Sequence, residues 1–143
     1  MPRTGRVVSL TGYNHIIARG NGGICIFEDD EDRYRILTLF EDKLVGNGIG
    51  VIAWCLMSNH FHLMVDDPHG KISSCMSGVL TSYAMYFNRK TDRVGHLFQD
   101  RFTNIPVEND AQAISLADYI HMNPVKAGVS AADNYRWSSY RAY

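Results

Sequence analysis

Apolar residues recur along this chain in two rhythms, the period of two that marks strands and the period near 3.6 that marks helices. The run Tyr13 to Arg19 predicts a first strand, closed by Gly20-Asn21-Gly22-Gly23. From about Asp30 to Val45, the positions Tyr34, Ile36, Leu37, Leu39, Phe40 and Leu44 keep a helical period, and Gly46-Asn47-Gly48 stops it. Ile49 to Met57, rich in Val, Ile and Trp, predicts a second strand. A tight connection through Ser58 and Asn59 leads into a third, within Leu56-Met57-Ser58-Asn59-His60-Phe61-His62-Leu63-Met64-Val65. These two strands are expected to form an antiparallel hairpin. Gly70 to Ser74 opens a second helix that runs to about Asn88, with Met76, Val79, Leu80, Tyr83 and Phe87 as its core stripe, and Arg89 to Arg93 follows as a basic turn. Phe102 to Val107 predicts a short strand, which Pro106 places at an edge. Asp110 is expected to cap a third helix running from Ala111 through Tyr119 to Met122 or Asn123, where Pro124 ends or kinks it. Gly128 closes a last turn, and the tail from Tyr135 to Tyr143 is aromatic and basic.

The order β-α-β-β-α-β-α predicts an α+β fold, a ferredoxin-like split βαβ with one added helix. The sheet is expected to be antiparallel with the helices packed on one face. No repeat, linker or low-complexity stretch divides the sequence, so residues 1–143 are expected to form a single domain, long enough to bury a real core.

Composition excludes more than it selects. A hydrophobic share of 45% with 20% charged residues is that of an ordinary soluble domain. No apolar run reaches the ~20 residues of a membrane span, and the first residues lack the apolar core of a signal peptide. Three cysteines, Cys25, Cys55 and Cys75, have no metal-knuckle spacing and make an odd number, so a reducing cytoplasm is expected. Net charge is only −1, yet residues 1–70 carry 6 basic and 9 acidic side chains against 8 and 6 in residues 71–143. The run Glu28 to Asp32 holds much of the acidic excess and suits a solvated helix start. A polyanion partner would have to meet a local basic face.

His60 and His62 share one face of their strand while Phe61 and Leu63 share the other. Two imidazoles about 7 Å apart on a rigid strand suit one divalent ion, or serve as two ordinary hydrogen-bonding side chains; the strand alone leaves both readings open. On the third helix Tyr119 and Asn123 are four apart and lie on one face, beside the stripe of Leu116 and Ile120. Most helix tyrosines are core or rim residues, and a nucleophile needs further support. His15 has no fixed face and is expected to make a structural hydrogen bond. His121, about 200° round the helix from Tyr119, is left out of the site. Phe98 is a candidate to stack on bases, Phe102 is expected in the core, and Trp137 with Tyr140 is expected to pin the tail.

Asn59-His60-Phe61-His62-Leu63-Met64-Val65 resembles the His-apolar-His signature of single-tyrosine HUH transposases. Tyr119-Ile120-His121-Met122-Asn123-Pro124-Val125-Lys126-Ala127-Gly128 resembles the nucleophile helix of the REP-associated tyrosine transposase branch. Ala18-Arg19-Gly20-Asn21, Gly95-His96-Leu97-Phe98-Gln99-Asp100-Arg101-Phe102 and Trp137-Ser138-Ser139-Tyr140 match that branch as well, so the resemblance spans about Gly12 to Tyr143. Two positions depart from it: Asp118 stands where a basic residue is usual, and Asp100 where a glycine is.

The resemblance implies the same ferredoxin-like fold and a DNA transposase that cuts and rejoins single-stranded DNA beside a hairpin, without ATP. It assigns His60, His62 and Asn123 to a divalent metal, Mg2+ or Mn2+, and Tyr119 to the nucleophile that forms a 5′-phosphotyrosine. Imidazole ligands favour manganese over magnesium, and zinc is the ordinary metal for two histidines. A phenoxide, with a pKa of about 10, leaves more readily than an alkoxide and so suits a reversible transfer. Arg19, Asn21, Arg89, Lys90, Arg93, Arg101 and Lys126 are candidates for DNA contact, against the common fate of a solvated charge. The expected state is a monomer, or a homodimer that exchanges the nucleophile helix. The rival readings are a domesticated hairpin-binding protein and a ferredoxin-like regulatory module, which need neither the His pair nor Tyr119.

Overall fold

The computed structural model describes residues 11–128 and 135–140. Four strands, β1 (Tyr13–Arg19), β2 (Gly50–Leu56), β3 (His60–Asp66) and β4 (Thr103–Pro106), form one sheet in the order β2-β3-β1-β4. Every neighbouring pair is antiparallel. Helix α1 (Asp30–Lys43) connects β1 to β2, and α2 (Ile72–Thr91) connects β3 to β4. Helix α3 (Asp110–His121) follows β4, and a short α4 (Asn123–Lys126) begins past Met122. This is the expected α+β, ferredoxin-like order. Pro106 ends β4 on the sheet's edge, where its missing N–H costs no ladder bond.

Strand alternation divides the sheet into two apolar faces. Ile16 and Ala18 of β1 and Phe61, Leu63 and Val65 of β3 lie under α1 and α2, against Ile36, Phe40, Met76, Val79 and Tyr83. Ala53 and Cys55 of β2 and Met64 of β3 turn the other way, into a second cluster with Ala113 and Ile120 of α3. The expectation that all helices share one face therefore holds for α1 and α2 and fails for α3. The reason is in β2 and β3: their second faces are apolar too, and a sheet with two apolar faces needs a layer on each.

Local chemistry sets the helix ends. Asp29 caps α1 by accepting from the Asp32 amide. At α3 the cap is Asn109, which accepts from the Gln112 amide, so the cap lies one residue before the expected Asp110. Helix α2 continues through Arg89 and Lys90 to Thr91, so the expected basic turn begins as its last helical turn. The Lys90 ammonium reaches Asp29 at 2.7 Å and the fully buried Asp32 at 2.8 Å, tying α2 to α1.

Residues 137–139 run along the outer edge of β2, with Leu56 N donating to Trp137 O and Ser139 N to Trp54 O. The Ser139 hydroxyl lies 2.8 Å from His121 Nε2, so this edge segment also holds the end of α3. Trp137 pins this part of the tail, as expected, and Tyr140 meets the His121 ring edge-on at 5.6 Å; Ser139 adds a hold the sequence did not single out, and residues 141–143 lie outside the described residues. No helix among the described residues is long and apolar enough to cross a membrane.

Candidate active site

The face of the sheet under α3 gathers the histidines. Directly paired residues point the same way, and β1 and β3 pair Arg19 with His60 and Ile17 with His62. Arg19, His60 and His62 are thereby held on one surface by backbone hydrogen bonds alone. His15, two residues before Ile17, completes that row. The rings of His60 and His62 have centroids 5.1 Å apart and stand at 81°, closer than strand spacing alone suggests because the rings lean together.

Helix α3 brings Tyr119 over this surface. Ile120 is fully buried beneath the helix, which leaves Tyr119 beside the seam and 42% exposed. Its ring meets His62 edge-on at 5.7 Å and His15 at 6.1 Å. The Lys126 ammonium sits 4.5 Å from the Tyr119 ring centroid. Asn123 lies one turn further on, its Nδ2 donating to the backbone oxygen of Tyr119 at 3.1 Å. That leaves Oδ1, the atom a hard cation takes, outside this bond.

Electrostatics keep the imidazoles neutral. Burial pushes the His62 pKa down to about 3, helped by the neighbouring charges of His15, His60 and Arg19. Burial alone lowers His15 to about 4, and burial with the Arg19 charge lowers His60. Neutral imidazole is the form that binds a metal. His60 Nδ1 lies 2.7 Å from Asn59 Oδ1; that oxygen only accepts, so the ring donates through Nδ1 and keeps the Nε2 lone pair. A ligating histidine held this way through its other nitrogen is the usual outer arrangement of a metal site. Among the described residues no three His, Cys, Asp or Glu side chains form a metal-binding group, so a cation here relies on two imidazoles and a non-acidic oxygen. Two imidazoles and an amide oxygen could hold a divalent cation, and they suit manganese better than magnesium, which prefers oxygen ligands.

Of the residues singled out in the sequence, the fold brings Arg19, His60, His62 and Tyr119 to one surface, with Lys126 over the Tyr119 ring and Asn123 held to the Tyr119 backbone. Asn21 belongs to the same end of the sheet: Gly20 N donates to Asn59 O, and Asn21 N to Leu97 O. Arg93 is spent on shaping the adjoining turn, donating to His96 O at 2.9 Å. Lys90 is committed to Asp29 and Asp32, and Arg89 shares its end of α2. Arg101 lines a separate groove of about 750 Å³ between α2 and residues 95–102. Phe102 is in the core and Phe98 packs on Phe61 and Tyr83. Asp100, which stands in place of the usual glycine, adopts a left-handed φ of 44° that glycine takes without cost. His15, expected to make a structural hydrogen bond, makes one to His62 at 3.0 Å, and only the register of β1 against β3 reveals its face.

Comparisons with solved structures bear on the fold, and a family model bears on the family. The fold is similar to a REP-associated tyrosine transposase bound to a REP hairpin, with a TM-score of 0.76 at 20% identity, covering 99% of this chain and 84% of that one. It is also similar to a putative transposase from Deinococcus radiodurans R1, with a TM-score of 0.56 at 15% identity over 91% of this chain and 99% of the other. No curated protein matches the sequence. Residues 9–123 match the IS200-like transposase family, and the chain belongs to that family.

Proposed function

We propose that this protein cuts and rejoins single-stranded DNA beside a hairpin, with Tyr119 as nucleophile and a divalent cation held by His60, His62 and Asn123. The observation that carries the reading is the convergence of Tyr119 with His62, 5.7 Å between ring centroids, on a surface that also holds His60 and Arg19. The hairpin substrate is inferred from the similar transposase, whose structure contains a REP hairpin.

A cation held by His60, His62 and Asn123 would supply Lewis-acid polarisation of a phosphate oxygen. This chain's residues do the rest. Arg19 and Lys126 flank the rings with positive charge and draw the phosphodiester in. The Tyr119 oxygen attacks the phosphorus in line, the bond to the 3′-oxygen breaks, and the DNA stays linked to the phenol as a 5′-phosphotyrosine. The phenol proton passes to solvent and the departing 3′-oxygen takes one up. Another 3′-hydroxyl then reverses the step, because the phosphotyrosine retains the energy of the bond it replaced. Tyr119 reaches the histidines of its own chain, which supports action as a single-domain monomer.

The test is incubation with labelled single-stranded DNA carrying a hairpin, with manganese, followed by a denaturing gel. A covalent adduct that disappears in Tyr119→Phe and in His62→Ala is expected. Tight hairpin binding with no adduct under any metal would instead identify a binding protein.

A further inference from the structure

We propose that His15 is a positioning residue of the metal site, its Nε2 accepting the Nδ1–H of His62 so that the His62 Nε2 lone pair is the one offered to the cation. The inference rests on the reading of His60 and His62 as ligands. His15 is buried on β1, its ring lying edge to edge with that of His62, centroids 5.3 Å apart and 20° between planes, and His15 Nε2 lies 3.0 Å from His62 Nδ1.

At that distance the two nitrogens share one hydrogen. A neutral imidazole has one N–H and one lone pair, so the contact admits two arrangements. If His62 Nδ1 donates, His62 Nε2 keeps its lone pair. If His15 Nε2 donates, His62 Nε2 carries the proton and is closed to a cation. The direction of this one hydrogen bond therefore decides whether His62 is a ligand. His60 is settled in the same sense by Asn59, whose Oδ1 only accepts from Nδ1. Both rings of the pair are then held through Nδ1, one by the hairpin turn and the other by the neighbouring strand. His15 is placed as a partner of His62 rather than a third ligand: its Nε2 is turned to His62 Nδ1, and no three His, Cys, Asp or Glu side chains among the described residues form a metal group. Partners of this kind change metal affinity by about 10- to 100-fold when removed.

The experiment measures Mn2+ binding to the full chain without DNA, by the electron paramagnetic resonance of free Mn2+, alongside 15N NMR of the histidine rings. His15→Leu is expected to weaken Mn2+ binding by about 10- to 100-fold and to release His62 from its single tautomer. His15→Gln, whose Oε1 accepts at a similar place, is expected to stay within about threefold of the parent. Unchanged Mn2+ affinity in His15→Leu would overturn the proposal, as would equal losses in His15→Leu and His15→Gln. The ring spectrum of the parent protein tests the same point independently: metal-free His62 protonated at Nδ1 supports the proposal, and His62 protonated at Nε2 overturns it. If the parent takes up no Mn2+, the ligand reading fails by itself, and the His62 tautomer still decides the role of His15.

Discussion

The seat of α3 can be tested at Ile120, the residue next to the proposed nucleophile. Its side chain is fully buried, in the cluster with Ala53, Cys55, Met57, Met64, Val107 and Ala113. Ile120→Ala removes three carbons, worth about 0.8 kcal/mol each in transfer out of water. The void left between two elements joined at few points adds to this, and the total comes to about 3–5 kcal/mol. On a stability of about 5–15 kcal/mol this leaves the protein folded but much weakened. The control is Ile114→Ala on the same helix, where the side chain is 68% exposed and the cost is expected within about 0.5 kcal/mol. Urea unfolding of both variants gives the two numbers, and hydrogen exchange should show α3 opening first in Ile120→Ala. A loss below about 1 kcal/mol in Ile120→Ala, or equal losses in the two variants, would refute the packing of α3 on the sheet.

Further outcomes follow from the same geometry. In the metal-free protein His15 titrates near 4 and His62 near 3, against 6.5 in the unfolded chain. The unfolded state thus takes up protons first, so their stabilising contribution is complete above pH 6.5 and is lost as the pH falls towards 3; urea midpoints that stay flat from pH 7 to 4 would contradict this. Cys55 is buried and its thiol is pushed up to about 12, so Cys25 should react with a thiol reagent in the native protein and Cys55 only on unfolding. Arg19→Ala should weaken hairpin binding and flatten its log–log salt dependence by about 0.7–0.9. Lys90→Ala should leave that slope unchanged, because its ammonium is already paired with Asp29 and Asp32; an equal effect of the two substitutions would place the DNA elsewhere.

Local patterns made most of this architecture legible. The helical stripe of Met76, Val79, Tyr83 and Phe87 and the parity of His60 against Phe61 survive in the structure because each depends on only one element's own geometry. What the pattern did not reveal depends on how elements meet. The face taken by α3 follows from β2 and β3 both having a second apolar side, which is visible only once their register is known. His15 is hidden for the same reason, since its place beside His62 is set by the pairing of Ile17 with His62. Lys90 looks like a free cation in the sequence because Asp32, its partner, is 58 residues away.

The most direct measurement locates the covalent bond. After reaction with hairpin DNA and manganese, nuclease trimming and proteolysis leave a nucleotide remnant that tandem mass spectrometry can assign to one side chain. That remnant is expected on the Tyr119 oxygen; a remnant on any other residue would contradict the proposed chemistry.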